Sequence, residues 1–297
     1  MDDQLSRRRF LSASAAGAGL LLAACSGKRS TVTVKKPTGS SQPAQVSLVV
    51  ASYVHVAGTD QRVSVAFIQG PAPVTPSSPV PLTFVDRANH ASAPQMAEAH
   101  RDVAEGPKPE TPGLPYFIVH HRFEAPGIYL VRTSYQGKTL EVPLQVTAPS
   151  STPVPFPGGP MVSVATPTVA NNLGVNPICT RRPSCPLHDV SLDAALAEHR
   201  PMAVLFATPA LCQSRLCGPT LDNLLSVRNE FAGRVRFLHL EIYTDLSGKT
   251  MAPAVEAYHL ESEPFLFLSR PDGTVFDRLD NAVDPAEMRD TLHRLAG

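Results

Sequence analysis

One stretch constrains the fold most: an apolar run leads into a loop with two cysteines, and a helical pattern follows. The run Met202–Phe206 has the length and composition of a buried strand. Downstream, apolar residues recur at helical spacing over 221–231. Between them, Cys212 and Cys217 lie on a strand-to-helix connection, with Cys217 beside the expected helix N-terminus. Free backbone N–H groups stabilise a thiolate there, so we expect a lowered pKa for the Cys217 thiol.

The residues at the start of this helix resemble a known active-site corner. Cys217-Gly218-Pro219 after a core strand is similar to the Cys-Gly-Pro-Cys of the thioredoxin-like superfamily. The resemblance implies an α/β thioredoxin-like fold and makes Pro264 the candidate for the cis-proline that lies against the active cysteine. Thr220 occupies the place of the family's second cysteine, so the partner available to Cys217 is Cys212.

The remainder of the chain follows the same family order of elements. Its patterns predict strand 235–242, helix 252–259, strand 263–268, strand 274–279 and a terminal helix over 284–295. Asp272-Gly273 supplies the turn between the last two strands. The resemblance covers residues 186–297.

The N-terminus has the pattern of an exported bacterial lipoprotein. Ser6–Leu11 carries a twin-arginine signature, a 14-residue apolar and small-residue stretch follows over 11–24, and Leu22-Ala-Ala-Cys25 resembles a lipobox. We therefore expect residues 1–25 to be a signal peptide ending at a lipidated Cys25, with the protein anchored at the extracytoplasmic face of the cell membrane. A plain cleaved signal and an uncleaved anchor are the alternatives.

Two polar or proline-rich segments divide the mature chain. Residues 26–44 have the composition of a flexible tether, and residues 148–160 that of a semi-rigid linker. These breaks predict one domain over 45–147 and a second over 161–297, each long enough for its own core.

The first domain is predicted to be all-β. Strand patterns over 46–50, 62–68, 82–85, 116–123, 127–135 and 138–146 alternate with turn residues, whereas 88–111 is predicted to be a long loop. Phe123–Tyr129 resembles the turn before a late strand of bacterial immunoglobulin-like sandwiches, which implies a sandwich without the antibody-type disulfide. We assign no catalytic residue to this domain.

Cys179 and Cys185 form a second cysteine pair. In an oxidising compartment, a structural disulfide between them is the leading interpretation. Partnership with the Cys212–Cys217 pair, and a metal site that includes His188, are the alternatives. The gap of five residues is longer than zinc sites usually have, so no metal ligand is assigned.

These observations favour a membrane-anchored thiol–disulfide exchange protein that acts on exported protein thiols or disulfides without a cofactor. Cys217 would attack, Cys212 would serve as its partner, and Pro264 would line the site. One alternative is a non-catalytic binding or scaffold lipoprotein with structural disulfides. Another is copper delivery by a cysteine pair with His188, His239 or His259. The 26 basic and 26 acidic residues balance, and no basic cluster marks a nucleic-acid surface.

Overall fold

The computed structural model describes residues 45–102 and 113–297. The predicted signal peptide, Cys25 and the tether over 26–44 lie outside these ranges. Within the described ranges, no helix combines the length and the apolar character that a membrane crossing requires.

The N-terminal part of the described chain is built from antiparallel strands. These are β1 Val46–Val50, β2 Asp60–Gln69, β3 Ala72–Val74, β4 Val80–Val85, β5 Gln95–Arg101, β6 Pro115–Arg122, β7 Gly127–Tyr135 and β8 Lys138–Val146. They form one sheet in the order β1-β2-β6-β5-β4-β7-β8, and β3 pairs with β2. The mostly β character predicted for this region is confirmed. The long loop predicted over 88–111 is partly wrong, because residues 95–101 form strand β5.

This sheet curls towards closure. Strands β1 and β8, at the two ends of the path, lie against each other, and Val56 pairs with Thr147 in a parallel bridge. The interior is filled by alternating apolar side chains, among them Val63, Val65 and Phe67 of β2. A single near-barrel path does not confirm the two-sheet immunoglobulin-like sandwich, which stays a prediction.

The C-terminal part is α/β. Its elements are α1 Leu192–Leu196, β9 Met202–Phe206, α2 Cys217–Val227, β10 Arg236–Leu240, α3 Pro253–Ala257, β11 Phe265–Ser269, β12 Val275–Asp280 and α4 Pro285–Ala296. The strand order is β10-β9-β11-β12, with β10 parallel to β9 and the other neighbours antiparallel.

Both faces of this sheet are buried, which explains the unbroken apolar run of β9. Met202, Val204 and Phe206 face a core shared with α1 and α3. Ala203 and Leu205 face the opposite core, which α2 and α4 cover. A strand between two helical layers needs apolar side chains on both faces.

The two parts are joined through buried charges. Arg62 of β2 is buried, and its guanidinium donates to the Glu287 carboxylate of α4. It also donates to the carbonyls of Asp280 at 2.9 Å and Ala282 at 2.7 Å. The Tyr116 hydroxyl donates to Glu287 at 2.8 Å. Each charge therefore has partners across the contact, which is the condition for burying it.

The proline-rich segment 148–160 is part of this packed body. Val154 is buried in the core that β9 shares with α1 and α3. Pro160 pairs with Thr274 in an antiparallel bridge, and the Gly158 N–H donates to the Val275 carbonyl at 2.9 Å. The segment thus connects the two parts while lying against the second, and the domain boundaries stay a prediction.

Candidate functional site

The thiol pair lies where the loop after β9 enters α2. The Cys212 sulfur accepts a hydrogen bond from the Cys217 backbone N–H at 3.2 Å, and the Ser214 hydroxyl lies 3.3 Å from the same sulfur. Cys217 is the first residue of α2 and is 0 % exposed, whereas Cys212 is partly exposed. Both sulfurs and a Glu263 carboxylate oxygen lie within 4.8 Å of one another.

The two thiols differ in acidity, in the opposite sense from the expectation. Hydrogen bonds, first with the Cys217 thiol and then with Ser214, lower the pKa of Cys212 to about 6. Burial, reinforced by Cys212, raises the pKa of Cys217 far above its ordinary value. The lowered pKa expected at Cys217 is therefore wrong, because desolvation of a buried thiolate outweighs the helix N-terminus. The start of α2 instead favours a thiolate at Cys212, because the Cys212 sulfur accepts the first backbone N–H of the helix.

Glu263 holds the cysteine loop from the other side. The peptide bond between Glu263 and Pro264 is cis, as the resemblance predicts. The Glu263 carbonyl accepts the Ser214 hydroxyl at 3.1 Å, and its carboxylate accepts the Gln213 N–H at 3.0 Å. Two separate groups of one residue therefore fix the loop that carries Cys212.

The β region contributes to this site through Tyr53. Its hydroxyl donates to the Glu263 carbonyl at 3.0 Å. Burial, followed by the charges of Asp280, Glu263 and the two thiols, raises the pKa of Tyr53, so the phenol stays protonated and remains a donor. No sequence pattern links Tyr53 to the cysteines, because this contact depends on how the two regions pack.

Leu216, which directly precedes α2, is also covered by the β region. Leu216 is buried against Tyr116 and Ala282, with Ile118 packed beside them. A cleft of about 200 Å³ opens next to the loop and is lined by Tyr53, Gln213, Ser214, Tyr243, Met251 and Glu263, among others. One side of the cysteine loop is thus packed and the other faces a cleft.

The structure places the second cysteine pair in another cluster. Cys179, Cys185, His188 and His239 are all buried, and their ligand atoms lie within 4.8 Å of one another. The Cys185 sulfur is 3.1 Å from His188 Nε2 and 3.4 Å from His239 Nδ1. The Cys179 sulfur is 3.8 Å from His239 Nδ1, and the two ring nitrogens are 3.3 Å apart.

The outcome for the sequence-based candidates of this cluster is mixed. His188 and His239 are brought to the cysteine pair, whereas His259 lines a different cleft with Tyr53 and His55. Both thiols are free in the structure, and the disulfide stays a prediction. Glu241 is a neighbour that the sequence does not reveal: its carboxylate accepts the Thr180 N–H at 2.6 Å.

Comparison with known proteins adds little to this geometry. No family model and no curated protein matches the chain. Among solved structures, a thiol:disulfide interchange protein of the thioredoxin family from Chlorobium tepidum TLS is 15% identical, with a TM-score of 0.34. The match covers 49% of this chain and 97% of that chain. At this level of likeness, the strand order and the cysteine geometry remain the basis for the function.

Proposed function

We propose that this protein is a thiol–disulfide exchange protein with a thioredoxin-like fold, in which Cys212 attacks and Cys217 resolves. One observation carries the proposal. The more exposed thiol, Cys212, has the lowered pKa and accepts the first N–H of α2, and a buried second thiol lies within reach. The attacking species in disulfide exchange is an accessible thiolate. This assignment reverses the two roles that the resemblance implied.

The reaction proceeds in two exchanges. The Cys212 thiolate attacks one sulfur of a substrate disulfide, which forms a mixed disulfide and releases one substrate thiolate. Cys217 then loses its proton and attacks the Cys212 sulfur, which forms the Cys212–Cys217 disulfide and releases the second substrate thiolate. Two electrons pass to the substrate. A dithiol substrate runs the sequence backwards and restores both thiols.

Glu263 is positioned for the proton step. Its carboxylate lies within 4.8 Å of both sulfurs, and the raised pKa of Cys217 means that this thiol stays protonated until the mixed disulfide forms. A carboxylate at this distance can accept the proton through one water molecule. Glu263→Gln should therefore slow resolution more than the first attack.

The proposed setting is the extracytoplasmic face of the cell membrane, with the chain anchored through a lipid on Cys25. The combined twin-arginine, apolar and lipobox pattern supports it. Exported proteins that contain cysteine pairs would then be the substrates. The β region, for which we retain an immunoglobulin-like sandwich as the proposed relationship, would support the cysteine loop through Tyr53 and Leu216.

The reduction potential of the Cys212–Cys217 pair tests the proposal. The full chain is equilibrated in thiol buffers, alkylated and weighed by mass spectrometry. A potential above roughly −250 mV supports an exchangeable catalytic disulfide, and one below about −300 mV would favour the non-catalytic scaffold. In a disulfide-reduction assay, Cys212→Ser should lower turnover by about 10³-fold or more. Arg132→Met, which changes an exposed ion pair of the β region, is the control and should retain turnover.

A further inference from the structure

We propose that Cys179, Cys185, His188 and His239 form a closed tetrahedral zinc site, separate from the thiol pair. The inference does not depend on the proposed exchange reaction. It is based on four buried side chains whose ligand atoms lie within 4.8 Å of one another. Cysteine and histidine are both common zinc ligands.

The distances match the edges of a zinc tetrahedron. Bonds of about 2.3 Å to sulfur and 2.05 Å to nitrogen give edges of about 3.3 Å for N···N, 3.6 Å for S···N and 3.8 Å for S···S. The corresponding N···N separation here is 3.3 Å, and three S···N separations are 3.1, 3.4 and 3.8 Å. Four of the six edges are therefore close to those of a zinc tetrahedron, and the other two are no longer than 4.8 Å.

His239 has the tautomer that a metal ligand needs. Its Nε2 lies 3.0 Å from the Ala207 carbonyl oxygen, which can only accept a hydrogen bond. In the neutral ring, Nε2 thus carries the proton and Nδ1 is left with a lone pair. That lone pair faces Cys179, Cys185 and His188. A metal-bound histidine is characteristically oriented by such a carbonyl on its other nitrogen.

Charge and burial favour a structural site. All four ligands are buried, and two thiolates would neutralise the charge of Zn²⁺, which makes the burial acceptable. The Cys185 N–H donates to the Cys179 sulfur at 3.3 Å, which further stabilises a thiolate there. Four protein ligands leave no open position for water, which is the arrangement of structural rather than catalytic zinc.

A disulfide explains this arrangement less well. It would draw the two sulfurs to about 2.05 Å from each other and use both of them. His188 Nε2 and His239 Nδ1 would then be left facing each other at 3.3 Å in a buried place without the thiolates. Zinc engages all four groups at once. Although five residues separate Cys179 from Cys185, the fold brings both sulfurs to within 4.8 Å of the two histidine nitrogens.

The site would fix the start of the cysteine loop. Ala207, which accepts the His239 hydrogen bond, follows β9 directly. Thr180, next to Cys179, accepts the Ala210 N–H through its hydroxyl at 3.0 Å. Zinc would therefore tie the segment before α1 to the sheet at the point where the loop towards Cys212 begins.

Metal analysis of the full chain tests the proposal, with two matched pairs of variants. The wild type, purified without chelator, should hold about one zinc ion per chain by plasma mass spectrometry. His239→Ala and Cys185→Ser should lose roughly tenfold or more of that zinc, whereas the exposed His259→Ala and the thiol-pair variant Cys212→Ser should keep it. Retention in His239→Ala, or loss in Cys212→Ser, would overturn the assignment.

A second measurement needs no variant. Cobalt(II) added to the metal-free wild type should produce thiolate-to-cobalt charge-transfer bands and the intense visible bands of a tetrahedral ion, and zinc should remove them. Absence of these bands would overturn the proposal. So would a metal-free wild type whose mass and peptide map show a Cys179–Cys185 disulfide, or one that carries copper in place of zinc.

Discussion

The two cysteine pairs of the α/β region carry the same side chains in opposite surroundings. Cys212 is partly exposed, accepts an N–H from a helix start and has a carboxylate near it. Cys179 and Cys185 are buried beside two imidazoles, one of them oriented by a carbonyl. Access and hydrogen-bond donors favour exchange at the first pair, whereas burial and aligned lone pairs favour a metal at the second.

The contrast extends to what supports each pair. The exchange loop receives contacts from the β region through Tyr53 and Tyr116. The second pair is built from residues of the α/β region alone, on the segment before α1 and on β10. Changes in the β region should therefore disturb the first pair and spare the second.

The largest expected contrast is in thiol reactivity. In the reduced, folded chain, Cys212 should react with iodoacetamide at least about 100-fold faster than Cys217, Cys179 or Cys185, because only an accessible thiolate is nucleophilic. Since the pKa of Cys212 is lowered to about 6, its thiolate persists above pH 6 and is lost on acidification. The rate should fall about tenfold per pH unit below 6.

Peptide mapping by mass spectrometry measures these rates one cysteine at a time. Unfolding in denaturant provides the control, since all four thiols should then react alike. Faster modification of Cys217 in the folded chain would contradict both the comparison and the assigned roles.

Breaking the contact between the two regions should have the next largest effect. Arg62→Met leaves the Glu287 carboxylate buried with fewer partners, and the free energy of unfolding should fall by about 3–5 kcal/mol. Arg132→Met removes an exposed ion pair with Glu141 and should cost only about 0–1 kcal/mol. Denaturant unfolding of both variants measures these free energies. Equal losses of stability would contradict a stabilising role for the buried contacts of Arg62.

Thr180→Val tests whether the two clusters communicate. It removes the acceptor for the Ala210 N–H and should cost about 0.5–1.5 kcal/mol. We expect altered iodoacetamide reactivity of Cys212 with zinc content unchanged. Thr180→Ser retains the hydroxyl and should behave as wild type. Loss of zinc in Thr180→Val would show that the Thr180–Ala210 hydrogen bond also holds the zinc ligands in place.

Tyr53→Phe should have the smallest effect. It removes one of the two hydrogen bonds to the Glu263 carbonyl but keeps the ring against Phe265. Exchange should slow by about two- to tenfold, which corresponds to one hydrogen bond. Tyr135→Phe, at the end of β7, is the control, because its hydroxyl accepts a hydrogen bond from Gln136 at the surface and its ring is retained. An unchanged exchange rate in Tyr53→Phe would show that the Tyr53 hydroxyl does not support the cysteine loop.

Local sequence patterns predict the strands whose own side chains favour that conformation. Strands β7, β8 and β9 have the ends that their patterns predict, and the mostly β and α/β characters of the two regions follow from them. Strand β5 was missed because its sequence, Gln-Met-Ala-Glu-Ala-His-Arg, has no Val, Ile, Thr, Phe, Tyr or Trp. It is a strand because β4 and β6 flank it, and strand propensity depends on such context.

The chemistry was harder to predict because it depends on burial and on distant contacts. The position of Cys217 at a helix start was correctly placed, but its acidity was wrong, since spacing does not reveal that the side chain is 0 % exposed. His239 lies on a strand 54 residues after Cys185. No local spacing motif can indicate that pairing, and only the fold brings the two side chains together.

Arg278 of β12 shows what dividing this protein would cost. Its guanidinium donates to the carbonyl of Val54, and to that of Pro155 at 3.1 Å, while Asp280 accepts the Tyr53 N–H at 3.3 Å. A fragment that begins at residue 161 would lack all three of these partners. The shortest fragment that keeps them must begin before Tyr53, so expressing the α/β half alone would leave Arg278 and Asp280 paired with each other but without these partners.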